Sequence, residues 1–245
     1  VLVLTQGASG HFNYAHWLFD IVPKLIITSQ FYDLSKIDFF YFSKLNNFQK
    51  ETLKIMNLNP TKFIDSNKFR HIEVERLLAV SHPNYFKKTI FFAHSNLPFW
   101  IVFSLKKLFF KKKIKKKSFQ KIFIDRSDSL QKHCKLINND EIINYLRKKK
   151  FKILQLSKIK LIDQISIFKS CNEIVAPHGA GLANLVFCKR GTKVTEIIPN
   201  NIKNKEYKRV SKLNKLKHKF INLKQIKNNK DGDMYLDLNQ LTRFV

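Results

Sequence analysis

The sequence has little glycine, proline, methionine or tryptophan: six, six, two and two residues in 245. Its three cysteines, Cys134, Cys171 and Cys188, are an odd number, and none has Cys-x-x-Cys spacing. That argues against both a disulfide framework and a structural zinc site. No Asn-x-Ser/Thr acceptor occurs, because Asn59-Pro60-Thr61 is blocked by its proline. These absences lean toward a reducing, cytoplasmic location. No uncharged apolar run reaches the roughly 18 residues that a spanning helix needs, and no signal-peptide pattern is visible. The chain starts at Val1 without Met, directly in the strand-like "VLVL", which suggests an excised fragment. Acidic residues are also scarce. Against 18 Asp and Glu stand 46 Lys and Arg, a formal charge of +28. Such a chain is drawn to polyanions. Yet the basic residues are spread over most of the sequence, beside abundant Asn, Ile and Phe, as an AT-rich coding sequence would produce. A generally basic surface is the primary reading. A basic module binding nucleic acid or an anionic surface is the alternative, and would show salt-sensitive DNA binding unaffected by nucleotides.

What is present is the material of a folded core, 44% hydrophobic and 13% aromatic. Short apolar runs alternate with helical patterns twice. The first set is "VLVLT" (1–5), a helix over 13–30, "IDFFYF" (37–42), a helix over 46–56, "KFI" (62–64), "RLLAV" (76–80) and a helix over 97–110. The second is "KIFID" (121–125), a helix over 139–150, "FKILQL" (151–156), a helix over 161–170, "EIVA" (173–176), a helix over 180–187, "KVTEII" (193–198), a helix over 205–215 and "KFINL" (219–223). This alternation predicts an α/β chain with parallel sheets covered by helices. It divides into an N-terminal half (1–105), a basic hinge (106–118) and a C-terminal half (119–245). The hinge run "KKLFFKKKIKKK" reads as a solvated linker, with interleaved apolar residues that would suit an anionic lipid surface.

Ligands of open parallel sheets bind at the carboxyl ends of strands, and the informative residues lie there. In "GASGHFNYAHWLFDIVPKL" (7–25), Gly7 and Gly10 loosen the chain after the first strand, and Asn13 is a helix cap. His16 and Asp20 are four apart and share a helix face, a pairing suited to general-base work by either residue. Leu18, Ile21, Val22 and Leu25 face the core, and Pro23 implies a kink. In "KIFIDRSDS" (121–129), Arg126 follows a strand, where its fork can take a phosphate. Lys132, His133 and Lys135 follow, and Asn138 or Asn139 caps the next helix. In "EIVAPHGAGLANLVF" (173–187), Pro177, His178, Gly179, Ala180 and Gly181 turn a strand into a helix whose free N–H groups form an anion site. Neither a Walker loop nor the dinucleotide Gly-x-Gly-x-x-Gly is present. Glu196, in "GTKVTEIIP" (191–199), is a carboxylate in an apolar strand end, able to accept from sugar hydroxyls or to pair with a lysine at an edge. "DGD" (231–233) reads as a surface turn.

Together these segments resemble glycosyltransferase family 61. "NYAHWLFDIVPKL" is similar to its Asn-Tyr-x-His-Trp-Leu-Phe-Asp-x-x-Pro-Arg/Lys-Leu run. "FIDRSDSLQKHCKLINNDEI" is similar to its arginine-bearing strand and acidic helix start, and "IVAPHGAGLANLVF" to its Pro-His-Gly-Ala-Gly-Leu-x-Asn-Leu-x-Phe segment. The similarity spans 11–199. Lys132, His133 or Lys135 stands where the family carries a second Arg, and Asn139 where an acidic residue is common. The resemblance implies a GT-B-like fold, two Rossmann-like halves facing across a cleft. It implies inverting transfer from a nucleotide-sugar donor, UDP-linked, to a hydroxyl on a glycan or lipid-linked acceptor in bacterial polysaccharide or glycolipid synthesis. It implies no metal or other cofactor, no specific nucleic acid, and a cytoplasmic enzyme able to touch the membrane peripherally. His16 and Asp20 would supply or orient the base. Arg126, His178, Gly179, Ala180 and Gly181 would hold the donor diphosphate, and Asn184 and Glu196 the nucleoside or ribose.

Overall fold

The computed structural model describes residues 1–5, 13–84, 93–111, 117–129, 133–202, 205–226 and 232–245. The chain divides into two compact units, Val1–Lys113 and Ile114–Val245. Gly7, Gly10, Lys132, Asp231 and most of the basic run after Lys111 lie outside the described residues.

The N-terminal unit carries β1 (Leu2–Val3), β2 (Phe40–Phe42), β3 (Phe63–Asp65) and β4 (Leu78–Ala79). They form one all-parallel sheet in the order β3-β2-β1-β4, with Leu2 opposite both Phe40 and Leu78. Parallel strands are covered on both faces, so they read as unbroken apolar runs. Accordingly Leu2, Leu4, Phe40 and Phe42 are all buried. α1 (Tyr14–His16) leads through a π turn, Trp17–Ile21, into α2 (Val22–Phe31); α3 (Asn47–Ile55) and α4 (Phe99–Phe110) complete the unit. The Asn13 side chain accepts from the N–H groups of Ala15 and His16, as a cap should. The π turn is how the helix accommodates Pro23. That residue has no N–H to give to Phe19, and the wider i→i+5 turn before it removes the demand.

The C-terminal unit carries β5 (Lys121–Ile124), β6 (Lys152–Leu154), β7 (Glu173–Pro177), β8 (Lys193–Pro199) and β9 (Lys217–Leu223). All pair in parallel in the order β6-β5-β7-β8-β9. The helices are α5 (Asn139–Lys148), α6 (Leu161–Ser170), α7 (Glu206–Leu213) and α8 (Leu238–Thr242). Both sheets thus have doubly wound orders, compatible with Rossmann-like halves. Each has a point where the winding reverses, between β1 and β4 in the first and between β5 and β7 in the second. Ligands of such sheets bind at the carboxyl ends flanking that point.

Three local readings are refined. The helix expected over 180–187 is present, as a 3-10 helix, Ala180–Phe187. Such a long 3-10 run is unusual. Here Asn214 Nδ2 donates to the carbonyls of Leu185 and Val186 at 2.7 and 2.8 Å, and Asn184 Nδ2 donates to that of Gly181 at 3.2 Å, so side chains take part of the backbone's acceptors. Asn138 holds the N-cap position of α5, but its side chain ties the C-terminal segment instead, donating to Leu236 O and accepting from Leu236 N. Of the "DGD" stretch, Gly232 is buried and Asp233 half-buried, and Met234 bridges to Leu136 and Gln225, so the described part is not an exposed turn. Among the described residues no helix is long and apolar enough to cross a membrane. All three cysteines are buried thiols, none of them in a disulfide.

Candidate active site

In the N-terminal unit the residues of interest flank the β1/β4 reversal. The segment after β1 delivers His16 and Asp20, and the segment after β4 delivers His82 and His94. The π turn drives Trp17, Leu18, Phe19 and Ile21 into the core. The Trp17 indole N–H is fixed on Thr52 Oγ1 at 3.0 Å, which sets the roll of the helix. His16 and Asp20 are thereby held on one face. His16 Nδ1 donates to Asp20 Oδ2 at 2.7 Å, while His94 Nε2 lies 2.8 Å and His82 Nε2 3.3 Å from Oδ1. Asp20 is 3% exposed. Burial alone would raise its pKa, but the three imidazoles outweigh burial and hold the carboxyl well below the ordinary carboxylate range. Lys24, one turn further on, is also buried. Burial lowers its pKa, and the Asp20 charge pulls in the other direction. The His16 side chain, by contrast, is 36% exposed. His16 and Asp20 were legible as an i,i+4 pair. His82 and His94 were not, because their sequence separation from Asp20 gives no signal until the sheet order brings them together.

In the C-terminal unit the β5/β7 reversal places Arg126, just after β5, beside the 177–181 turn that follows β7. The loop after β5 is built on Asp125. Its carboxylate accepts from the N–H and Oγ of Ser127, from Asn139 Nδ2 and from Gln155 Nε2, at 2.8 to 3.0 Å. Burial opposes that charge, but the donors outweigh it and keep the pKa low. An amide at 139 is what this arrangement requires, since a carboxylate there would face Asp125 with no proton to share.

Arg126 is half-buried with its Nε enclosed, and burial lowers its pKa. Its Nη2 donates to Ser129 Oγ and His133 O at 3.4 and 3.3 Å, its Nε has no partner, and no ion pair to it forms among the described residues. His133 therefore meets Arg126 through its carbonyl, while Lys135 is exposed. The guanidinium lies against Gly179. A Cβ there would stand 1.3 Å from Nη1 and 2.1 Å from Cζ. The backbone at Gly179 has φ +155° and ψ 175°, a region open essentially to glycine alone. At Gly181 a Cβ would stand 2.9 Å from Leu156 Cδ1, so that side chain would have to shift to admit one. The N–H groups of Ala180 and Gly181 open the 3-10 helix and have no backbone acceptor among the described residues. Among the described residues, a guanidinium without an ion pair and two N–H groups without a backbone acceptor thus share one strand-end turn.

Behind this turn lies a second histidine–carboxylate cluster. His178 Nδ1 donates to Glu196 Oε1 at 2.5 Å, and His218 Nε2 lies 2.9 Å from Oε2, misaligned for a hydrogen bond. His218 Nδ1 meets Ser211 Oγ at 2.7 Å, and Tyr207 packs its ring on His178 with centroids 5.3 Å apart. Glu196 is 1% exposed. It sits in β8, inside the sheet, paired with two histidines and no lysine, which removes the edge reading. Burial would raise its pKa, but His178 and His218 lower it by more. A depressed carboxylate stabilises the fold above its unfolded value, about 4.5, and that contribution disappears as pH falls through the lower folded value. Glu196→Ala is expected to destabilise the C-terminal unit by about 3–5 kcal/mol and to flatten its acid loss of stability, measured by urea unfolding across pH. Asn184, fully buried, donates its amide to Gln164 Oε1 and Gly181 O, and so shapes the turn from behind.

Residues 14–195, well over half of the chain, match the family model described as Glycosyltransferase 61. The chain belongs to glycosyltransferase family 61. The match takes in His16 and Asp20 at its start, and Arg126 and the 177–181 turn within it. Family membership makes the chain a glycosyltransferase, with a sugar donor and an acceptor in general. No curated protein matches it.

Proposed function

We propose that this family 61 glycosyltransferase moves a sugar from a nucleoside-diphosphate donor, UDP-linked, to a hydroxyl of a glycan or lipid-linked acceptor, with inversion, in polysaccharide or glycolipid synthesis. Two parallel α/β units are what a GT-B enzyme is built from, and the assignment of roles follows them. One observation carries it: the half-buried Arg126 guanidinium, without an ion pair among the described residues, is packed on Gly179 beside the N–H groups of Ala180 and Gly181, which have no backbone acceptor among those residues, at the β5/β7 reversal. That is the donor set for a diphosphate, with fixed geometry and low local dielectric. His178, with Nδ1 engaged by Glu196, has Nε2 left to face the same anion.

In the transfer, His16 takes the acceptor hydroxyl proton. Its Nδ1–H is donated to Asp20, which leaves Nε2 bare, and it is far the more exposed of the two. Asp20 has both oxygens engaged and acts as the orienting partner. The acceptor oxygen then bonds to the anomeric carbon from the face opposite the leaving group. The carbon–oxygen bond to the diphosphate breaks, and its electron pair departs with the diphosphate. Arg126 and the two N–H groups meet the charge that develops, which is a task cations perform in other designs, so no metal is assigned to this step. The test is donor hydrolysis and transfer over a panel of nucleotide sugars. Turnover with one donor class, retained in excess EDTA, is expected. Turnover with none of the panel, or full dependence on Mg²⁺, would overturn the reading.

A further inference from the structure

Three of the chain's eight histidines converge on one buried carboxylate, which is more than orienting a base requires. We propose that His16, Asp20, His82 and His94 form a binding site for a divalent transition-metal ion of the Zn²⁺ type, and that its occupation switches the base off. The ligating atoms of His16, Asp20 and His94 all lie within 4.8 Å of one another, and His82 Nε2 approaches the same Asp20 oxygen as His94 does. Three imidazole nitrogens and one carboxylate suit Zn²⁺ or Co²⁺ in tetrahedral coordination and do not suit Mg²⁺, which takes oxygen ligands.

His82 supplies an independent observation. Its Nδ1 lies 2.6 Å from the carbonyl oxygen of Asn84. A carbonyl has only lone pairs, so Nδ1 carries a proton there. The Asn84 N–H, 3.2 Å from the same nitrogen, is the longer and weaker contact. His82 Nε2 lies 3.3 Å from Asp20 Oδ1, so a ring held at Nδ1 aims its other nitrogen at the same oxygen that His94 approaches. Donation of one ring nitrogen to a backbone carbonyl, leaving the other for the metal, is how metal-bound histidines are oriented. Two features oppose the site: the nearby Lys24 charge and the short direct bonds to Asp20, which a metal must displace.

The binding claim stands on these residues alone; its consequence for activity rests on the function proposed above. A metal on Nδ1 of His16 forces that ring's proton onto Nε2, the atom assigned to accept the acceptor's proton, so metal uptake removes the base.

Titration of the full chain with Co²⁺, followed by visible absorption, tests the site. One tightly held Co²⁺ per chain is expected, with a tetrahedral nitrogen/oxygen spectrum lacking a thiolate band, displaced by Zn²⁺ and unaffected by Mg²⁺. His82→Ala and His94→Ala should each weaken it by about tenfold or more, while Cys134→Ser and His133→Ala should not, all variants being checked for fold by circular dichroism. Equal Co²⁺ uptake by wild type and the His82/His94 double variant would overturn the site, and so would no uptake at all. With a turnover assay in hand, Zn²⁺ should inhibit and EDTA restore. Binding without inhibition would overturn the switch and leave the site, whereas absence of turnover with any donor would count against the proposed function and leave the Co²⁺ result readable.

Discussion

His16→Ala is expected to lower kcat by about a hundredfold to ten-thousandfold, the usual worth of a positioned proton acceptor, with little change in donor affinity. The Asn13 cap, the π turn and the Trp17–Thr52 bond fix the helix so that His16 Nδ1 meets Asp20 at 2.7 Å, and the imidazole is the exposed member of the pair. His16 projects from the half-buried face, so its removal leaves the core intact and the variant should fold. Asp20→Asn should also lose activity, because the amide can present N–H to His16 and favour the wrong tautomer. It should in addition lower stability, since three imidazoles lose their shared acceptor. Steady-state kinetics beside thermal unfolding separates these outcomes. Retained kcat in both variants would remove His16 and Asp20 from the chemistry.

The second large effect is at Gly179. Gly179→Ala puts a Cβ 1.3 Å from Arg126 Nη1, on a backbone conformation that alanine adopts only at a cost of about 1–3 kcal/mol. The guanidinium must move or the turn must rearrange, and either removes the proposed diphosphate seat. Loss of one charge-assisted hydrogen bond is worth about 1.5–3 kcal/mol, so nucleoside-diphosphate affinity should drop roughly tenfold to over a hundredfold. Arg126→Ala should reproduce the affinity loss without the backbone strain. If Gly179→Ala lost stability but kept affinity, the glycine would be serving the turn alone.

Much of this was legible in the sequence, and the exceptions share a cause. The strands of the C-terminal unit were readable because doubly covered parallel strands leave apolar runs, as in 173–177 and 193–199. The His16/Asp20 pair and the Arg126 strand end were readable because they depend on spacing of a few residues. His82 and His94 were not, since only the β1/β4 pairing brings them to Asp20. Glu196 was recognised as an unusual carboxylate, but its partners, His178 and His218, come from two neighbouring strands, so its burial between them was invisible. The 3-10 form of Ala180–Phe187 depends on Asn214, from beyond the next strand. α8 was missed because a five-residue helix leaves no periodic pattern. Local chemistry was in the sequence; which elements meet was in the topology.

The central claim is that Arg126 and the Gly179–Gly181 turn hold the leaving nucleoside diphosphate. The direct measurement is calorimetric titration of UDP into wild-type protein and into Arg126→Ala, with uridine as the comparison. The account predicts that UDP binds the wild type, that uridine binds far more weakly, and that Arg126→Ala loses most of the difference between them. UDP binding of equal strength in wild type and Arg126→Ala would contradict it.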